Sequence, residues 1–447
     1  MRGDSLRRLV LLILSAACLD AQQNPPTLDQ VMARLDRLEN ENRQLLEEIR
    51  ALRKELTPAQ PPPAAKQEIP IAERVDVLER RSEETDQTKV QASQRFPVTV
   101  TGMALFNAYS NGKNGGGAED PLSANQNAGP ANVGATFRQT VLGLRFDGPE
   151  TFLGGKVTGA VDLDLWGGDS TSLNHLLRLR TATIRLDWAN TSFSVGQDKP
   201  LIAPRDPDSL AQVADSPLTG AGNPWLWQPQ VRLEQRVAMG KDSGVVLQGA
   251  VYQTKESYGN LPTAFQSTVE AARPGWEGRA AYWRKWGGHG RLEVASGFHA
   301  SWSKVGSVSI PSNAVSFDWL VDPLPRWEIT GAYYAGQNLS TIGGGAGISL
   351  LGNGMLAGVH QNSGWVQTSF RLTSRLKLNG FTGEQSDRPG DLVSASMKSN
   401  LAWGGNLMYH LAPNVIASFE ALQLRTSYMN TGIRVNDHYD LAIAYLF

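Results

Sequence analysis

The chain reads as all-β, a 16-stranded antiparallel transmembrane β-barrel preceded by an α-helical periplasmic coiled coil. Three observations carry that reading. The C-terminal run Tyr439-Asp-Leu-Ala-Ile-Ala-Tyr-Leu-Phe447 puts Tyr439, Leu441, Ile443, Tyr445 and Phe447 on one face of a strand, because side chains alternate with period two. Large apolar side chains along one side suit a lipid-facing strand with aromatics at the membrane border. From Phe96 onward the sequence breaks into strand-like segments joined by alternately short and long connections. After the N-terminal leader, no stretch reaches ~18 consecutive apolar residues, which excludes a helical membrane protein.

The leader comes first. Arg2, Arg7 and Arg8 precede the apolar run Leu9–Leu19, and small residues follow. Residues 1–21 therefore form a secretory signal peptide, with cleavage after Ala21. Cys18 is the only cysteine and would leave with it. Ser15-Ala-Ala-Cys18 also resembles a lipoprotein box, which would instead make Cys18 a lipidated first residue. A cysteine-free mature chain has no disulfide framework, no thiol nucleophile and no Cys-based metal site.

Residues 27–56 form a separate module. Leu28, Val31, Leu35, Leu38, Asn42, Leu45, Ile49, Leu52 and Leu56 recur at alternating spacings of three and four. That is the a/d seam of an oligomeric coiled coil, ~44 Å long at ~1.5 Å per residue. Arg34 with Glu39 and Glu48 with Arg53 place opposite charges at its flanks. Asn42, the polar seam residue, would set register by pairing with its own copies. Residues 57–70 are a Pro-rich linker, since stacked prolines forbid helix and favour extended geometry. A short polar helical segment, 71–94, follows.

The barrel spans 95–447. Its strands are expected near 96–110, 136–147, 153–166, 176–187, 191–198, 229–239, 243–254 and 275–286. The series continues near 290–304, 312–322, 326–338, 359–373, 375–386, 399–411, 414–428 and 435–447. The tight connections at Gly148-Pro, Asp187–Asn190, Gly240–Ser243, Asp322–Pro325 and Ala412–Asn414 fall on the side of Phe447, and the long ones on the other. Alternation also sorts the faces. Val157, Val161, Leu163 and Leu165 oppose Asp162 and Asp164; Val231, Leu233 and Val237 oppose Arg232, Glu234 and Arg236. Leu292, Val294, Phe298 and Trp302 oppose Arg291, Glu293 and His299. A Lys or Arg on the lipid face would cost ~2–4 kcal/mol at mid-bilayer, so the charged faces line the lumen. Sixteen strands enclose more than side chains fill, so the inside is expected to be polar and wet.

One connection stands apart. Residues 199–228 join the fifth and sixth strands and carry Lys199, Arg205, Asp206, Asp208 and Asp215 among stiffening prolines. At that length a loop is functional rather than a simple turn. Folded inward, it would narrow the lumen opposite wall arginines Arg178, Arg180, Arg232, Arg236 and Arg279. Folded outward, it would be a surface loop.

The terminal Tyr439–Phe447 stretch resembles the C-terminal signal that the barrel-insertion machinery reads in bacterial outer-membrane proteins. With the long third loop, the whole chain resembles a sixteen-stranded outer-membrane porin. The coiled coil before the barrel resembles that of DcaP-like porins, and Ser194-Val-Gly-Gln-Asp-Lys-Pro200 is similar to an element shared with phosphate-selective porins. Where the phosphate-selective group has a dense basic ladder, this lumen mixes signs, with Asp162, Asp164, Glu234 and Glu293 among the arginines. The resemblance implies a homotrimer in the outer membrane of a Gram-negative-type bacterium, with its stalk in the periplasm. It also implies passive diffusion of small hydrophilic or anionic solutes past an inward constriction loop. The competing expectation is an envelope anchor, whose coiled coil engages peptidoglycan while a plugged barrel fixes it in outer-membrane lipid.

Catalysis is not expected. The six histidines are scattered, and His299 with Ser301 or Ser303 on one strand has no evident partner arrangement. His360, His410 and His438 read as lumen or interface residues, and His289 lies in a Gly-rich turn. No phosphate-binding loop, metal-ligand cluster, cofactor motif or basic nucleic-acid surface is present in the sequence.

Overall fold

A computed structural model describes residues 98–168, 175–256, 261–270 and 272–447. The signal peptide with Cys18, the coiled coil with Asn42, the linker and the 71–94 segment lie outside the described residues.

The first half of the barrel comprises β1 (Val98–Asn111), β2 (Asn132–Thr136), β3 (Val141–Glu150), β4 (Lys156–Gly167), β5 (Leu176–Asp187), β6 (Thr191–Asp198), β7 (Gln228–Ala238), β8 (Ser243–Gln253) and β9 (Pro274–Trp286). Then follow β10 (Gly290–Val305), β11 (Val308–Leu324) and β12 (Trp327–Gln337), and a small hairpin of β13 (Ile348–Leu350) and β14 (Leu356–Gly358). The last five are β15 (His360–Arg371), β16 (Leu376–Asp387), β17 (Met397–Ala412), β18 (Val415–Tyr428) and β19 (Gly432–Leu446). β2 and β3 are halves of one spanning strand: both pair with β1, and residues 137–140 bulge between them. Counted so, and with the small hairpin set aside, the sheet is a closed 16-stranded antiparallel barrel. β1 closes on β19 from Met103↔Leu446 to Asn111↔His438. Closure leaves no strand edge unpaired, which a sheet in lipid requires.

The connections at the Phe447 end are all short: 151–155, 188–190, 239–242, 287–289, 325–326, 372–375 and 413–414. At the opposite end the expected asymmetry is incomplete. The 112–131, 199–227, 254–273 and 338–359 connections are long, but 306–307 and 429–431 are tight. There β11 begins at Val308 and β19 at Gly432, earlier than the alternation indicates, so these strands meet their partners in tight turns.

Face assignment follows the pleat. Tyr439, Leu441, Ile443 and Tyr445 are about half exposed, while Asp440, Ala442 and Ala444 between them are buried inside. Val231, Leu233, Val237, Phe298 and Trp302 also face outward. The interior differs from the uniformly polar lumen that was expected. Tyr334, Trp365, Phe381, Leu422 and Leu424 on β12 to β18 point inward and form one apolar cluster with Ile202, Leu218, Leu339 and Ile342 from the connections. Inserted loops carry apolar side chains of their own, and burying them needs apolar wall.

Candidate functional site

The connection between β6 and β7, residues 199–227, runs through the interior of the barrel. A chain segment without a strand partner must satisfy its backbone polar groups elsewhere, and here wall side chains do so. Glu277 of β9 accepts from the amides of Leu201 and Ile202. Gln367 of β15 accepts from the Asp208 amide at 2.7 Å. Asn107 of β1 donates to Leu210 O at 2.8 Å. Arg180 and Arg178 of β5 donate to Val213 O at 2.7 Å and Ala214 O at 2.5 Å. On the way back, Asn400 of β17 donates to Gly220 O at 2.8 Å. At Gly222 (φ 110°) the segment lies so close to the wall that a Cβ would collide with the carbonyls of Gly364 and Glu384.

Gln139, in the bulge between β2 and β3, holds the middle of the segment from both sides of its amide. It donates to Ala211 O at 2.7 Å and accepts from the amides of Val213 at 2.6 Å and Ala214 at 3.0 Å. Nothing in the pattern around Gln139 marks it, because the bulge that aims it inward shows only in the pairing of β1.

The wall opposite the apolar cluster is charged. Asp164 of β4, fully buried, takes both Arg178 (2.7 Å) and Arg180 (3.2 Å). Both guanidiniums also stack on Trp227, at 5.2 and 4.6 Å. A bulge in the pairing of β4 with β5, between Asp162↔Thr181 and Leu163↔Leu179, turns Thr181 inward beside Arg180 to donate to Asp162 at 2.9 Å. Arg145 pairs with Asp162 at 2.7 Å. Arg185 and Arg236 share Glu234, at 3.4 and 2.7 Å. In these groups the guanidinium is the more exposed partner: Arg145 43% against Asp162 21%, Arg236 33% against Glu234 14%, Arg178 25% against Asp164 0%. The Arg232–Asp198 pair is the reverse, 18% against 36%.

The ten charged residues singled out in the sequence fall into five places. Asp215 meets Arg178 at 3.6 Å, beside Arg180. Lys199 pairs with Asp206 within the segment, and its carbonyl accepts from Arg232 at 3.0 Å. Arg205 reaches Asp318 and Glu293, the same carboxylates that hold Arg279. Asp208 pairs with Lys377 of β16. Arg236 contacts no part of the segment among these bonds; it serves Glu234, Ser192 and Trp188 O nearer the turn end. Burial raises the Asp215 carboxyl above the ordinary range despite Arg178. Burial also raises Asp120 on the 112–131 connection, and Asp215 adds to the effect.

His299 does have partners, contrary to the expectation from its own strand. Tyr252 Oη lies 2.5 Å from Nδ1, Ser312 Oγ 2.9 Å from Nε2, and Glu277 3.4 Å from Nδ1. They come from β8, β11 and β9, neighbours in space that spacing along β10 does not reveal. All four are buried, and Ser312 Oγ donates to Asn338 O at 2.8 Å, so the network supports the connections above it. His438 is buried against Asn111 at 2.8 Å, whereas His360 is exposed and pairs with Asp391. Among the described residues no three of His, Cys, Asp and Glu gather around a common metal position.

No protein-family model matches the sequence, and neither does any curated protein. Solved structures do resemble the fold. The outer membrane channel DcaP of Acinetobacter baumannii aligns with TM-score 0.63 and 16% identity, over 79% of this chain and 97% of that one. The anion-selective porin from Comamonas acidovorans aligns with TM-score 0.53 and 12% identity, over 79% and 100%. OmpF of Salmonella typhi, in complex with daunomycin, aligns at 0.50 and 11%, over 78% and 97%. The chain has the sixteen-stranded barrel fold of these outer-membrane channels.

Proposed function

We propose that the protein is a porin of the outer membrane, a passive channel for small hydrophilic solutes with a mild preference for anions. The 199–227 segment narrows the lumen, with Arg205, Asp208 and Asp215 on it paired to wall side chains and Lys199 paired to Asp206 within it. One observation carries the charge preference: in the Arg145–Asp162, Arg178–Asp164 and Arg236–Glu234 pairs on β3 to β7 the guanidinium is the more exposed partner, with Arg232–Asp198 the exception. A solute passing that arc meets positive charge first, although the formal charges nearly cancel. The fold neighbours support the same reading, one being described as an anion-selective porin. Transport needs no bond making, so a size limit and this field account for selectivity. A homotrimer, which the sequence resemblance implies, belongs to the same proposal. The anchoring role rests on residues 27–56, outside the described residues, and no contact among the described barrel residues favours it.

Replacing Arg145, Arg185 and Arg236 together by Gln tests the assignment. The reversal potential under a salt gradient is expected to move towards cations with the conductance retained. An unchanged potential would remove these residues from the filter.

A further inference from the structure

A second site lies on β18, β19 and β1, next to the charged arc around the barrel. In register, Ser418 and Glu420 of β18 face Ala442 and Asp440 of β19, which in turn face Asn107 and Tyr109 of β1. Ala442 contributes only a methyl group, packed with Leu210 of the crossing segment, and Asn107, Ser418, Glu420 and Asp440 lie beside it on the inner face. Each of the four is at most 5% exposed. Two carboxylates directly across a strand pair repel each other, and burial denies them solvent.

The surroundings supply no positive charge. Glu420 Oε2 accepts from Ser209 Oγ at 2.6 Å and Asn406 Nδ2 at 2.9 Å. Asp440 Oδ1 accepts from Asn107 Nδ2 at 3.0 Å. The basic side chain in this region, Lys377, is taken by Asp208. Three buried oxygens have no hydrogen-bond partner: Asn107 Oδ1, Ser418 Oγ and Glu420 Oε1. Two carboxylates, an amide carbonyl and a hydroxyl form an all-oxygen set, the kind hard divalent cations take.

We propose that Glu420, Asp440, Asn107 and Ser418 bind a divalent cation of the calcium class, which fastens the 208–210 part of the crossing segment to the wall. The coupling is direct, because Ser209 and Leu210 are bonded to Glu420 and Asn107, two of the ligands. Neutral oxygens complete the set, so three acidic groups are not needed. The other titratable groups beside this part of the segment are Asp208, Lys377 and, through Gln212, Asp120.

The test uses the full chain folded in detergent, stripped with chelator and titrated with calcium chloride at pH 7.5. Calorimetry is expected to find one site per chain with Kd ~10⁻⁴–10⁻³ M, the range of extracellular oxygen-ligand sites, and calcium should raise the thermal midpoint. Glu420→Gln and Asp440→Asn should each weaken binding about tenfold or more, since affinity follows ligand charge. Ser418→Asp, which adds a carboxylate beside Ala442, should strengthen it, so the idea does not depend on variants that lose stability. Binding unchanged in both neutralised variants would place the ion elsewhere. A wild-type chain indifferent to calcium but stabilised by acid would mean the carboxylates share a proton. Either result overturns the proposal.

Discussion

At the scale of single residues, the interior is organised by side chains that each do two things. Arg178 and Arg180 compensate Asp164 and also hold the carbonyls of Ala214 and Val213. Their charge is therefore partly committed to structure, whereas Arg145, Arg185 and Arg236 bond to wall groups alone. Gln139 is the clearest positioning residue. Gln139→Ala removes three hydrogen bonds worth ~0.5–1.5 kcal/mol each, so the segment should loosen while the barrel's unfolding temperature barely changes. Faster proteolysis within 199–227, at unaltered circular dichroism, is the expected sign; unaltered proteolysis would assign the hold to the arginines instead. Sequence reasoning named Arg178, Arg180, Arg232, Arg236, Arg279, Asp162 and Asp164 because charge beside apolar alternation is visible in a string of letters, but it did not name Arg145 or Arg185. It could not find Gln139, Trp227 or Glu277, whose roles come from contacts between residues far apart in the chain.

At the scale of elements, the strands were legible and the loops were not. Period-two alternation places each strand within a few residues, because lipid on one side and lumen on the other impose opposite chemistries. The rule weakens where a connection enters the barrel: Trp365, Phe381 and Leu422 point inward although they are apolar. On these strands the inward face mixes apolar with polar side chains, Trp365 among Gln361, Ser363 and Gln367 and Phe381 between Asn379 and Gln385, so the alternation orients them less sharply. The length and composition of 199–228 left its direction open between inward and outward, and only its bonds to the wall place it inside. Its docking should depend on pH. Burial raises Asp120 and Asp215, so the docked segment binds their protons more tightly than the released one. That contribution is present below the raised values and is lost as pH rises through them. In buffer free of divalent cations, acidification from neutrality should therefore tighten the segment, read as slower proteolysis at pH 5 than at pH 7.5 with a protease active at both. Faster cleavage at pH 5 would reverse the sign assigned to these carboxyls.

At the scale of the whole molecule, closure of β1 on β19 turns a two-faced sheet into a tube with an apolar outside and a partly charged inside. The outside is what makes it a membrane protein. Leu441→Arg, on the outward face, should destabilise the barrel by up to ~2–4 kcal/mol if the site lies at mid-bilayer, measured by reversible urea unfolding in vesicles. A loss well under ~1 kcal/mol would place Leu441 at the interface instead. The inside, with its crossing segment and its exposed guanidiniums, is the basis of the selective passage proposed above. The most direct test is single-channel recording of the full chain in a planar bilayer under a salt gradient. Stable openings with a reversal potential on the anion side are predicted. A well-folded barrel that never conducts would contradict the account, because the crossing segment would then be a plug.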